Sequence, residues 1–163
     1  MKHITLLLIL TLMLAPAWAA TQKKTGEDLI LPVLEIYDGD TIKTRLSLPN
    51  PLDKTSVRIY GIDTPEKPAA SYAESGKLGR SKCKKEADLA LKATAFMKQM
   101  FKDNGNMMLL KSYEWGKFGG RILADVYVLN IETGKQTNIA DAMIDKGYAV
   151  AYFGEKKSKD WCK

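Results

Sequence analysis

The sequence has a single histidine, His3, and it stands in a leader-like stretch at the N-terminus. Everything after it lacks histidine, which excludes histidine-based acid–base catalysis and the imidazole sites of most transition metals. Cysteine is almost as scarce, with only Cys83 and Cys162. Two thiols without histidine do not make a zinc site. Long apolar runs are missing beyond residue 20, so no second membrane-spanning candidate follows the leader. There is no internal repeat, and no linker divides the chain. At 163 residues it is long enough for one domain with a real core and too short for two comfortable ones.

The leader itself is informative. Lys2 and His3 precede an apolar run, Ile4 to Leu14, and Ala15-Pro16-Ala17-Trp18-Ala19-Ala20 follows. A charged start, a short apolar stretch and an Ala-x-Ala end describe a secretory signal peptide, here residues 1–19, cut after Ala19. Residues 20–28 read as a flexible arm and 29–163 as one domain. The expected product is exported to the periplasm or the medium, has no stable membrane anchor and is a monomer. Losing Lys2 leaves 24 basic against 19 acidic residues, so the mature chain keeps a net charge of +5. Such a charge favours anionic partners, although alone it is equally the charge of a soluble protein. An oxidising compartment permits a Cys83–Cys162 disulfide, the alternatives being two free thiols or half of a metal site. Closing a loop of about 80 residues would contribute about 4 kcal/mol in the chain-entropy model and pin the tail to the first helix.

Hydrophobic periodicity orders the domain. Strands are expected over Leu29–Tyr37, Thr41–Leu48 and Val57–Ile62, with Pro49-Asn50-Pro51 as a turn. Residues 67–82 read as a long exposed loop. Cys83–Asp103 has a helical stripe of Leu89, Ala93, Phe96, Met97 and Met100, stopped by Asn104-Gly105. Met107–Tyr113 and Arg121–Asn130 are two further strands. Asn138 caps a second helix that ends at Gly147. Five short strands with an inserted helix fit an α+β fold, an OB-type five-stranded barrel with two main helices packed on it.

Two acidic clusters carry the chemistry. Tyr37-Asp38-Gly39-Asp40-Thr41 and Arg58-Ile59-Tyr60-Gly61-Ile62-Asp63-Thr64-Pro65-Glu66 lie at strand edges. Taken singly, Asp-Gly and Asp-Thr-Pro are common turn chemistry. Together they offer four carboxylates and a guanidinium. Carboxylates meeting at one rim need a cation, and oxygen ligands without histidine or thiolate favour calcium or magnesium. The planar fork of Arg58 suits a phosphate. A hard cation beside a phosphate clamp points to phosphodiester hydrolysis. Lys77, Arg80, Lys82, Lys84 and Lys85 form a basic cluster in and after the long loop, by default a solvated face and in its functional version a guide for nucleic acid.

These motifs, with Lys117-Phe118-Gly119-Gly120-Arg121 and Thr137-Asn138, resemble the secreted thermonuclease (staphylococcal-nuclease-like) family, over about Leu29 to Phe153. The resemblance implies a five-stranded OB barrel and a calcium-dependent nuclease that acts on DNA and RNA by attack of a metal-associated water. It implies Asp40, Asp63 and the Thr64 main-chain carbonyl as calcium ligands, and Asp38 in a supporting place. Glu66 would be the general base, with Arg58 and Arg121 holding the phosphate. Tyr152 and Lys117 would stand near the nucleotide.

The chain also departs from the family pattern. Phe118 replaces a usual tyrosine, Gly119-Gly120 is one glycine longer, Phe153-Gly154 lacks a second expected tyrosine, and there is no room for a third long helix. A rival reading is a non-catalytic OB module that binds single-stranded nucleic acid. Another is a secreted structural domain with its acids in turns, which leaves their joint spacing unexplained.

Overall fold

The computed structural model describes residues 27–46, 54–116, 120–157 and 159–163. The leader, most of the arm, the Pro49-Asn50-Pro51 turn, and Lys117, Phe118 and Gly119 lie outside the described residues. The elements are β1 (Leu29–Pro32), β2 (Glu35–Ile36), β3 (Thr41–Thr44), β4 (Thr55–Ile59), β5 (Ile62–Asp63), α1 (Tyr72–Ser75), α2 (Lys84–Lys102), β6 (Met107–Trp115), β7 (Arg121–Leu129), β8 (Gln136–Asn138), α3 (Ile139–Asp145) and β9 (Val150–Ala151).

The main sheet runs β1-β6-β7-β4-β3-β2, with β8 joined to β7, while β5 and β9 form a separate pair. All its pairings are antiparallel except β4 with β7. The first expected strand, Leu29–Tyr37, is two. Its first half pairs with β6; at Val33 and Leu34 the backbone donors pass from Asn106 O to Lys43 O, and its second half pairs with β3. One run of chain thus serves two parts of the sheet. Likewise β7 holds β4 along its first half and β8 along its second. The result is a curled, mixed half-barrel of OB type with three helices.

The expected strand Val57–Ile62 is cut by the turn at Tyr60-Gly61, where Gly61 has φ +82. Within β4, Thr55, Val57 and Ile59 are buried and Ser56 and Arg58 face the other way, the alternation of a half-buried strand. Residues 67–82 are not loop throughout, since α1 interrupts them, and the Tyr72 hydroxyl donates to Asp88 Oδ1 at 2.9 Å.

Helix α2 starts and stops as expected, with Cys83 as its N-cap. Its buried face is rotated from the expected stripe: Ala87, Ala90, Ala93, Met97 and Phe101 are buried, while Leu89, Phe96 and Met100 are half-buried. Ala93, Met97 and Phe101 join the core, and Phe96 and Met100 pack against its edge. Asn138 caps α3 through its side-chain oxygen, which accepts from the Ala140 and Asp141 amides at 2.8 and 3.3 Å. The core joins Ile42, Val57, Ile59, Ile62, Met97, Met108, Leu110, Val126, Ile139 and Met143. Cys83 and Cys162 form a disulfide with Cα atoms 6.0 Å apart, which fixes the C-terminal tail to the start of α2. Among the described residues, no helix is long and apolar enough to cross a membrane.

Candidate active site

The two acidic clusters meet at one corner of the half-barrel. The turn between β2 and β3 carries Asp38 and Asp40, and it closes when the Tyr37 and Asp38 amides donate to Thr41 O. The Asp40 amide donates to Asp38 Oδ1 at 3.3 Å, and Asp40 O accepts from the Ile59 amide at 2.9 Å, which ties the turn to the end of β4. Gly39 is required by space. A Cβ there would stand 2.9 Å from Thr64 Oγ1 and 3.1 Å from Thr64 Cγ2, so only glycine lets the second cluster come this close.

Asp63 closes β5 opposite Val150, and Thr64 follows it. Asp38, Asp40 and Asp63 retain 7%, 4% and 3% exposure, so three carboxylates are withdrawn from water within one corner. Buried carboxylates are costly unless compensated, and the chain compensates them with cations that each bridge two acids. Arg58 donates from Nη1 to Asp40 Oδ1 at 2.6 Å and places Nη2 3.9 Å from Asp63 Oδ1. Lys157 Nζ lies 2.7 Å from Asp63 Oδ1 and 3.2 Å from Glu66 Oε1. Arg80 reaches Asp38 Oδ2 at 3.1 Å and Glu66 Oε2 at 3.5 Å. Four carboxylates and three cations therefore make one chain of charge, Asp40–Arg58–Asp63–Lys157–Glu66–Arg80–Asp38.

Compensation is incomplete at Asp40. Thr41 and Thr64 hydroxyls donate to it at 2.9 and 3.1 Å, yet its carboxyl is pushed up to about 7. Burial is the main cause, outweighing the pull of Arg58, and the neighbouring Asp38 adds to it. Asp63 Oδ1 has an ion pair but no hydrogen bond of good geometry. Burial works against the charge of Lys157 and of Arg80, and their carboxylate partners outweigh it, so both pKa values are raised.

Arg121 opens β7 beside β4 in parallel register, Ser56 opposite Arg121 and Arg58 opposite Leu123. Two-residue periodicity puts both arginines on one face of the sheet. They line a cavity of 270 Å³ with Asp38, Asp40, Thr64 and Glu66. Tyr152 is half-buried next to it; its amide donates to Gly61 O at 2.9 Å, and it lines a small cleft with Arg58, Leu123 and Phe153. Phe153 meets Tyr60 edge to face at 5.7 Å.

Sequence reasoning thus placed Asp38, Asp40, Arg58, Asp63, Thr64, Glu66, Arg121 and Tyr152 at one corner, and the structure brings them together there. Lys117 lies outside the described residues. Three participants were missed. Lys157 comes from the tail, and the sequence shows Arg80 only as part of a basic cluster. Glu86 is a buried carboxylate in the first turn of α2, accepting from the Glu66 amide at 3.2 Å and the Lys82 amide at 2.6 Å. Its signal was an acidic residue three positions after the helix cap. It holds the backbone of Glu66, as does Ser81 Oγ, which donates to Glu66 O at 2.5 Å.

A hard cation suits the donor chemistry: carboxylate oxygens, one of them without a hydrogen bond, and no competing nitrogen or sulfur ligand. As they stand, no three histidine, cysteine, aspartate or glutamate side chains among the described residues are grouped to hold an ion. The chain's own cations span the carboxylates instead.

A family model described as staphylococcal nuclease homologue matches residues 56–161. The chain belongs to this family. No curated protein matches it. Membership in the staphylococcal nuclease homologue family supports a nuclease-type function on nucleic acid. The matched span contains Arg58, Asp63, Thr64, Glu66, Arg121 and Tyr152 but begins after Asp38 and Asp40. Geometry ties both to it, Asp40 through Arg58 and Thr64 and Asp38 through Arg80.

Proposed function

We propose that the protein is an exported, calcium-dependent nuclease that hydrolyses phosphodiester bonds of DNA and RNA at this corner. The observation that carries the reading is Arg58, which spans two almost fully buried aspartates, Asp40 and Asp63, and lines one cavity with Asp40, Glu66 and Arg121. Three buried acids with Glu66 at the cavity wall make a site for positive charge and for an anion that brings its own.

Asp40, Asp63 and the Thr64 carbonyl would hold calcium, with Asp38 supporting Asp40 through their shared turn. The ion would supply positive charge against a phosphate oxygen and favour ionisation of water. Arg58 and Arg121, on one face of adjoining strands, would orient the phosphate and complement the charge that develops on it. Glu66 accepts the proton of the attacking water; its backbone is fixed by Glu86 and Ser81, which keeps the carboxylate in place. Tyr152, in the cleft with Arg58 and Phe153, offers an apolar wall for a base. The signal-like leader and the disulfide support export to the periplasm or the medium.

The second reading, a binding module without catalysis, is favoured by Arg58, Lys157 and Arg80, which already pair with the four carboxylates of the corner. Incubation of the purified mature chain with single-stranded DNA and with RNA, in calcium, magnesium or chelator, separates the two. Shortened products in calcium support the nuclease. Binding with no cleavage under every metal condition supports the module.

A further inference from the structure

The basic residues that the sequence grouped together divide in the structure. Lys84 is paired with Asp88, and Lys85 donates to the main-chain oxygen of Lys163. Arg80 and Lys82 instead face the tail, where Lys157 and Lys159 stand across a groove of 500 Å³. The tail is held there by the Cys83–Cys162 disulfide and by Trp161, which is 7% exposed and lies under Lys159, whose Nζ is 5.4 Å from the ring centroid. The groove shares Thr64, Glu66 and Arg80 with the cavity of the candidate active site.

We propose that this groove is a second nucleic-acid site, a track that binds backbone phosphates of the single strand flanking the bond being cut. The inference rests on the nuclease reading, which it extends by several nucleotides. Its charge arrangement suits a long polyanion better than a small anion. The inner wall holds Asp63, Glu66 and Glu86, which repel a free anion. The cations stand on the two outer walls, loop and tail, and all four are exposed. Lys157 and Arg80 are committed to carboxylates at the inner end. Lys82 feels Asp160 only through space and Lys159 rests over the Trp161 ring; neither is in a close ion pair among the described residues, so both charges stay open to phosphates. Arg80 lines both spaces, so a strand entering the catalytic cavity continues into the groove past one guanidinium.

The test is the affinity of fluorescent oligonucleotides in chelator, measured by anisotropy over a range of salt. The probes are a thymidine dinucleotide and a ten-residue thymidine strand. Lys82→Ala/Lys159→Ala is compared with wild type and with Lys98→Ala/Lys102→Ala, which removes the same charge from exposed positions of α2 outside the groove. Each phosphate contact on a single strand adds about 0.7 to the slope of log affinity against log salt. The groove variant is expected to lose about 1.4 of slope and roughly tenfold of affinity for the long strand near physiological salt. Its dinucleotide affinity should change less than about twofold, within the scatter of surface substitutions. Equal slopes and affinities in the groove variant and wild type overturn the proposal, as does an equal loss in the α2 variant, which would mean bulk charge alone. Failure of the nuclease reading is distinguishable: a wild type that cuts nothing in any metal, yet shows the length-dependent loss, retains the groove and rejects the catalysis.

Discussion

Asp40 is the group whose replacement is most diagnostic. In the unfolded chain an aspartate titrates near 3.8, and in the folded protein Asp40 is raised to about 7. Between those values the folded state keeps a proton that the unfolded state has released. Stability therefore falls as pH rises through this window, and the loss is complete above the folded value. At ~1.4 kcal/mol per pH unit, ionising Asp40 costs the metal-free fold up to about 4 kcal/mol, of which about 3 falls between pH 5 and 8. Beyond His3 the chain contains no histidine, so in the folded domain little else titrates there. Asp40→Asn keeps the shape and the acceptor for Thr41 or Arg58, and removes the charge. In chelator, wild-type thermal stability should decline from pH 5 to 8 by roughly 10 °C, using about 3–4 °C per kcal/mol for a domain of this size. The variant should be nearly flat and more stable than wild type at pH 8. Calcium added at pH 8 should raise the wild type and have much less effect on the variant. Parallel melting curves for the two proteins across the pH range would refute the claim that Asp40 is a buried acid lacking sufficient positive charge.

Three further outcomes are expected. Glu66→Gln should lower turnover roughly 10²–10⁴-fold, the range of a lost carboxylate base, with calcium affinity by calorimetry mostly intact; equal turnover rejects the base assignment. Arg58→Lys keeps a charge but cannot span Asp40 and Asp63 with a planar fork, so activity on single-stranded DNA should fall severely; full activity removes Arg58 from the mechanism. Cys83→Ser/Cys162→Ser releases a crosslink across 79 positions and should lower unfolding free energy in urea by about 4 kcal/mol, with an unchanged midpoint showing that the tail is held without it.

Much of the corner was legible because its chemistry is local in sequence. Arg58, Asp63, Thr64 and Glu66 lie on one strand–turn–strand segment, and the Asp38-Gly39-Asp40 turn is its hydrogen-bonded neighbour through Thr41 and Arg58. Alternation along Thr41–Leu48 puts Ile42, Thr44, Leu46 and Leu48 on one face; the first three are buried, and Leu48 lies outside the described residues. The role of Gly39 was harder to see, because it depends on the approach of Thr64 from 25 positions away. Lys157 was not legible at all. It stands 91 positions from Glu66, in a charged tail whose composition suggests only solvent. A disulfide and one buried side chain, Trp161, rather than a periodic hydrophobic pattern, bring it to the site. The break of the first strand at Val33 was hidden for a related reason: apolar spacing reports which residues are buried, not which neighbour accepts each backbone hydrogen bond.

The central claim is that buried Asp40 and Asp63 hold a cation that makes this corner a nuclease. The most direct measurement is the cleavage rate of a fluorogenic single-stranded DNA by wild type and by Asp40→Ala/Asp63→Ala, in calcium and in chelator. Wild type should cleave in calcium and not in chelator, and the double variant should be at least about 10³-fold slower, the loss of several kcal/mol of charge stabilisation. Undiminished cleavage in chelator, or by the double variant in calcium, would contradict the claim.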